Sequence, residues 1–268
     1  MPENKNILAE AQNLTVKFRS KSGGRVTAVN SVSLELHEGE TLAVVGESGS
    51  GKTTLLRSML GLTEPESGYV SLLGRKISEL PLSELTVIRR ACGYVPQDPY
   101  GAIPPGLSAL EAVCEPDVIS KAPRSRAETK ARADSLLISF GLTEERIWSS
   151  RAVSLSGGQR QRVELARAMM LSPRLMLCDE PTSMQDVSTR GDIIDILKKY
   201  VKSGAGMLFV THDLLLAVRI ADRIIVLKDG CLCEECGADD VINSPAHPYT
   251  RALINAVPRI NEKLLRRY

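Results

Sequence analysis

A chain of 268 residues can bury a substantial core and lies near the size at which a single core stops growing, so one large domain with an inserted or appended piece is expected. Its 34 basic and 32 acidic side chains leave a net charge of +2, which argues against field-driven capture of nucleic acid or anionic lipid. Six cysteines, no leader-like pattern at Met1 to Asn13 and no apolar run of membrane-spanning length point to reduced thiols in a soluble, cytoplasmic chain.

In chain order, Leu14 to Phe18 and Val32 to Leu36 alternate apolar and polar residues, predicting antiparallel strands joined by a polar turn at Ser20 to Arg25. Leu42 to Val45 is continuously apolar, as in a central strand covered on both faces. A helix from Thr53 to Leu60 stops at Gly61, and a short strand, Tyr69 to Leu73, a helix, Leu82 to Arg90, and a strand, Gly93 to Pro96, follow. From Asp98 the pattern breaks at Pro99, Pro104 and Pro105, and helices are expected near Ala109 to Val118 and from Ser125 to Phe140. The block 98–155 reads as a helical subdomain inserted into an αβ alternation. Alternation resumes with a helix from Gly158 to Met170, the strand Leu175 to Cys178, a helix from Ser188 to Lys202, the strand Met207 to Val210, a helix from Leu214 to Ile220 and the strand Arg223 to Lys228. The sum is an α/β fold with a mostly parallel, doubly wound sheet and an antiparallel β edge.

Between the first buried strand and its helix lies Gly46-Glu47-Ser48-Gly49-Ser50-Gly51-Lys52-Thr53, followed by Thr54. This is a P-loop: backbone N–H groups in a tight turn and the positive end of a helix converge on phosphate oxygens, Lys52 adds a cation, and Thr53 can place its hydroxyl on Mg²⁺. The strand ending at Cys178 delivers Asp179 to the edge where ligands bind in open α/β sheets, so Asp179 can hold the same Mg²⁺. Glu180 follows and is free to accept a proton from an attacking water, help worth on the order of 10²- to 10⁴-fold.

Leu155-Ser156-Gly157-Gly158-Gln159, with the helix that continues through Arg167, resembles the signature motif of ATP-binding cassette (ABC) ATPases. That resemblance implies a P-loop NTPase (RecA-like) core, ATP and Mg²⁺ as ligands, and a head-to-tail dimer in which Ser156 to Gln159 of one chain close on the P-loop of a second cassette. In the same order along the chain, Gln97 matches the Q-loop that contacts metal and attacking water, Ser183 to Asp186 the D-loop, and Thr211-His212-Asp213 the motif whose histidine contacts the γ-phosphate. Phe18 resembles the aromatic that stacks on adenine; an ordinary strand aromatic is the competing reading. Gln185 departs from the usual Ser-Ala-Leu-Asp D-loop by replacing the apolar residue, and leaves Asp186 in place.

The C-terminal stretch Asn243 to Leu253, with Ala256-Val257-Pro258, is similar to the tail of importer ATPases of the oligopeptide, dipeptide and nickel group, and Gln97-Asp98-Pro99-Tyr100-Gly101 is similar to that group's Q-loop. The resemblance implies an ATPase domain at 1–230 and a C-terminal extension at 231–268. It also implies a homo- or heterodimer at the cytoplasmic face of the membrane, two permease subunits, an extracytoplasmic binding protein met only indirectly, and no nucleic acid. The cargo would be a peptide, nickel or a metal chelate. The competing function is a soluble, non-transport ABC ATPase serving a cytoplasmic complex of the phosphonate carbon–phosphorus lyase kind. Cys231, Cys233 and Cys236 with His247 could offer four metal ligands, but the spacing is not the usual paired knuckle, and alternation on a strand explains the thiols equally.

Overall fold

The computed structural model describes residues 6–19, 23–121 and 123–256. The expected turn at Ser20 to Arg25 lies partly outside that range, as do Val257 and Pro258 of the tail.

In chain order the strands are β1 (Ile7–Arg19), β2 (Arg25–His37), β3 (Thr41–Val45), β4 (Ser67–Leu72), β5 (Arg75–Lys76), β6 (Cys92–Val95), β7 (Leu175–Asp179), β8 (Gly206–Thr211), β9 (Arg223–Lys228) and β10 (Cys231–Gly237). The first helices are α1 (Lys52–Met59), α2 (Leu82–Arg90), α3 (Pro99–Ala102), α4 (Ala109–Ser120), α5 (Arg126–Ser139) and α6 (Glu145–Ser149). They are followed by α7 (Gly157–Ala168), α8 (Val187–Lys202), α9 (Leu214–Ile220), α10 (Asp240–Asn243) and α11 (Pro248–Ala256). The chain forms two compact units, residues 1–89 with 201–268, and residues 90–200.

In the first unit β3 lies between β8 and β9 and runs parallel to both, while β10 returns antiparallel along β9. Every residue of β3 and β8 is buried, which is why neither strand shows polar alternation. A second, antiparallel sheet places β1 between β2 and β4, with β5 on the outer side of β4. Helix α1 contacts β1, β4 and β8, and its Leu55, Leu56 and Met59 are fully buried. The antiparallel strands are much longer than their alternating cores suggest, thirteen residues each for β1 and β2. Register shifts between Ala11 and Leu14 reverse the inward face partway along β1, so a single alternation covers only part of the strand.

In the second unit β6 and β7 pair in parallel, and α7 packs against α3, α4, α5 and β6. Three helices here begin with the same reciprocal cap: Ser108 with Glu111, Ser125 with Glu128, and Ser156 with Gln159. The segment after Asp98, expected as irregular loop, opens with the one-turn helix α3. Pro99 supplies a preset φ at its first position, and Asp98 Oδ1 accepts the Tyr100 N–H at 2.8 Å.

Candidate nucleotide site

On the first unit, the P-loop leaves the C-terminal end of β3, and β8 beside it is in register with Val45 opposite Thr211. Gly46 and His212 therefore emerge next to each other at one sheet edge. His212 is exposed there, and Asp213 turns the chain into α9 by accepting the Leu216 N–H at 3.1 Å.

The loop is built by glycine. Gly51 stands at the N-cap of α1 with φ of 102°, and a Cβ there would lie 2.2 Å from the Ala28 carbonyl oxygen. A Cβ on Gly46 would meet the Leu227 carbonyl oxygen at 2.2 Å. Any other residue at either position would push the loop off the β2 and β9 backbones that support it. Because glycine at the cap brings no side chain, α1 starts with its first-turn N–H groups uncapped by its own N-cap residue, the arrangement that suits a phosphate. Lys52 is buried and folds over the loop, with Nζ donating to the carbonyls of Gly46 and Glu47 at 2.7 Å each. Glu47, Ser48 and Gly49 are exposed at the rim, Ser50 is buried, and Thr53 and Thr54 are half-buried on α1.

Phe18 lies near the end of β1 with 45% of its surface exposed, in a cavity of about 260 Å³ lined also by Arg19, Arg25, Pro65 and Glu66. That exposure takes Phe18 out of the core and leaves it open to solvent among charged side chains.

On the second unit, β7 is buried throughout and carries Asp179 at its end, with 1% exposure. Glu180 follows in a left-handed backbone conformation, φ 48°. Val95 of β6 pairs opposite Cys178, so Gln97, exposed two residues past β6, leaves the same edge as Asp179 and Glu180. Burial drives the Cys178 thiol far up from its ordinary value, which leaves it a small apolar residue of the strand.

The signature segment is more occupied than its sequence implies. Ser156 Oγ accepts the Gln159 N–H at 3.2 Å, and Gln159 Oε1 accepts the Ser156 N–H at 3.0 Å, so both side chains cap α7. Gly157 and Gly158 make room for the D-loop of their own chain: a Cβ on Gly157 would lie 2.8 Å from the Met184 sulfur, and one on Gly158 3.1 Å from the Met184 carbonyl oxygen. Gln185, the D-loop departure, is buried and donates through Nε2 to the Gly158 carbonyl at 2.9 Å and to Gln161 Oε1 at 3.1 Å. Gln161 in turn donates to the Glu180 carbonyl at 3.1 Å and accepts the Met184 N–H at 3.2 Å. Sequence reasoning missed Gln161; its place one turn into the signature helix was the available signal.

Asp186 caps α8, accepting from Ser188 Oγ at 2.6 Å and from the Thr189 N–H at 2.9 Å. Those bonds, the Ser188 hydroxyl's foremost, hold its carboxyl down to about 2. Cys231, Cys233 and Cys236 are free thiols, the last two packed partly into an apolar cluster. Among the described residues no group of three or more His, Cys, Asp or Glu is placed to hold a metal ion.

The Thr53 hydroxyl and the Asp179 carboxylate, which the P-loop reading assigns to Mg²⁺, and the Gln97 amide, which the family resemblance adds, are hard oxygens of the kind this ion prefers. The glycine-built cradle and uncapped helix start equally fit a polyphosphate.

A strand–P-loop–helix unit, a buried strand ending in Asp-Glu and a capped signature helix on one chain define an ATP-hydrolysing cassette, and the chain belongs to the ABC transporter family, whose profile matches residues 29–183. The profile of the oligopeptide/dipeptide transporter C-terminal region matches residues 233–268. The chain is 36% identical over 265 residues to the oligopeptide transport ATP-binding protein OppF of Escherichia coli, covering 96% of this chain and 79% of that one. It is 37% identical over 242 residues to the di/tripeptide transport ATP-binding protein DppF of Pseudomonas aeruginosa, covering 90% and 74%. Among solved structures, the dimeric bacterial ABC transporter cassette MJ0796 superposes with a TM-score of 0.80 at 36% identity, over 86% of this chain and 98% of that one. The same cassette is also known in a post-hydrolysis state bound to ADP and Pi, with the same TM-score of 0.80. This chain is an ABC ATPase. Among the described residues no helix is long and apolar enough to cross a membrane.

Proposed function

We propose that this chain is the ATP-hydrolysing subunit of an importer for small peptides or a related cargo such as nickel or a metal chelate. The observation that carries this reading is the match of residues 233–268 to the oligopeptide/dipeptide transporter C-terminal region, joined to a cassette whose relatives are named for peptide transport. The chain works with a second cassette, a copy of itself or a related chain, and the pair drives two permease subunits from the cytoplasmic face of the inner membrane.

Within each nucleotide site, Phe18 stacks on the adenine, and the Gly46 to Thr54 segment with Lys52 holds the phosphates. Thr53, Asp179 and Gln97 would hold Mg²⁺, which would supply positive charge against the charge developing on the phosphoryl oxygens. Glu180 takes the proton of the attacking water, and His212 contacts the γ-phosphate. Ser156 to Gln159 serve the ATP bound by the other cassette, the Ser156 hydroxyl keeping its proton to donate while its oxygen caps α7, and Asp186 stands in the D-loop beside them. A soluble, non-transport ATPase finds no support among the relatives above, whose names all concern transport.

The test is what copurifies with the tagged, full-length chain from detergent-solubilised membranes. Two multi-spanning permease chains in stoichiometric amount are expected. A soluble enzyme assembly with no permease would contradict the proposal.

A further inference from the structure

The C-terminal region touches the phosphate loop. Tyr249, the second residue of α11, places its hydroxyl 3.3 Å from the backbone N of Glu47 and accepts that N–H. The two residues are 202 positions apart, and both belong to the first unit.

Tyr249 is held in place from several directions. The residue is 9% exposed and packs in a cluster with Val45, Leu214, Ala217, Val226 and Val241. Lys228 Nζ stands 4.7 Å from the ring centroid, a cation–π contact from the end of β9. The turn before α11 is fixed by Glu234 of β10, whose carboxylate accepts the N–H groups of Ala246 at 2.8 Å and His247 at 2.9 Å. His247 Nδ1 then accepts the Tyr249 N–H at 3.1 Å. Burial pushes the Tyr249 hydroxyl up from its ordinary value, so it stays neutral at physiological pH.

Glu47 is the second residue of the loop, directly after Gly46, which is pressed against the Leu227 carbonyl. The loop's entry is thus braced on one side by β9 and tied on the other by α11. Within the loop the Ser50 N–H bonds the Glu47 carbonyl at 3.2 Å, so the residue that Tyr249 holds also closes the loop's own turn.

We propose that Tyr249 is a positioning residue for nucleotide binding: by holding the Glu47 N–H it presets the P-loop for phosphate and links the C-terminal region to ATP occupancy. The proposal rests on the assignment of Gly46 to Thr54 as the phosphate loop. Linkage is reciprocal, so ATP must tighten the contact as much as the contact favours ATP.

The full-length chain carrying Tyr249→Phe keeps the ring, its cluster and its cation–π contact and loses only the hydroxyl. Expected are a roughly three- to tenfold rise in Kd and KM for ATP with kcat changed less than about twofold, the range one lost hydrogen bond gives. Hydrogen exchange at the Glu47 amide is expected to speed up in the variant. In the parent chain ATP should slow exchange at Ala246 and His247, and that slowing should disappear with Tyr249→Phe. Unchanged ATP affinity with unchanged Glu47 exchange would overturn the proposal, as would a fall in kcat with KM unmoved. Lys52→Ala serves as the reference: loss of ATP binding supports the loop assignment, whereas retained affinity would overturn that assignment and the proposal with it.

Discussion

Glu180 sits in a backbone region that costs a non-glycine residue on the order of 1–3 kcal/mol, at φ 48°. The strain is held by Gln161, which bonds the Glu180 carbonyl at 3.1 Å and, through its other amide atom, the Met184 N–H at 3.2 Å. Gln185 completes the arrangement, so the D-loop residue that departs from the family pattern is a structural partner of the signature helix. Gln185→Glu keeps the shape but presents carboxylate oxygens to the Gly158 carbonyl and Gln161 Oε1, where an amide N–H now donates. Urea denaturation should show a loss of about 1–3 kcal/mol, the cost of leaving buried acceptors without donors; a loss under about 0.5 kcal/mol would show that the network is dispensable. At this scale the places of Lys52, at the start of α1, and of Asp179, at the end of a buried strand, were legible. It was not legible for Gly157 and Gly158, because what they make room for, Met184 and Gln185, depends on how the D-loop folds back.

At the scale of elements, the strands that carry the site were legible because burial on both faces removes every polar residue from Leu42 to Val45 and from Leu175 to Cys178. The antiparallel edge was only half legible. The chain bulges at Asn13, with φ of 47°, and at Ser31, with φ of 51°, and each irregularity shifts the face that alternation would report. Three helices start on reciprocal Ser-x-x-Glu or Ser-x-x-Gln caps, and reading Ser156 to Gln159 only as a phosphate surface passed over the cap that engages Ser156 with Gln159. Asp186 gives a helix-scale prediction. A carboxyl held down to about 2 in the folded chain binds its proton less readily than in the unfolded one, where an ordinary value is near 3.9. Its cap on α8 therefore contributes stability above about pH 4, and that contribution fades as pH falls through about 2. Carbon-detected NMR of the Asp186 side chain should show a midpoint near 2 in the intact chain and near 4 in Ser188→Ala/Thr189→Ala; a midpoint near 4 in the intact chain would contradict the cap.

At the scale of the whole molecule, the chemistry is divided between the two compact units. The phosphate loop, His212, Phe18 and the C-terminal region belong to the first, whereas Gln97, Asp179, Glu180, Asp186 and the signature helix belong to the second. The order of these motifs along the chain was readable from sequence. The tie from Tyr249 to Glu47 was not, since neither a helix start at Pro248-Tyr249-Thr250 nor its resemblance to an importer tail points to the loop until the fold brings it there. In the proposed function one chain carries a phosphate loop for one ATP and a signature surface for another, and hydrolysis occurs only when two cassettes close on nucleotide with Glu180 as the base. The most direct measurement is ATP turnover and nucleotide retention by Glu180→Gln in the purified two-cassette assembly. The account predicts a fall in turnover of about 10²- to 10⁴-fold with unhydrolysed ATP retained at one molecule per cassette. Turnover at the parent rate, or loss of turnover with no ATP retained, would contradict it.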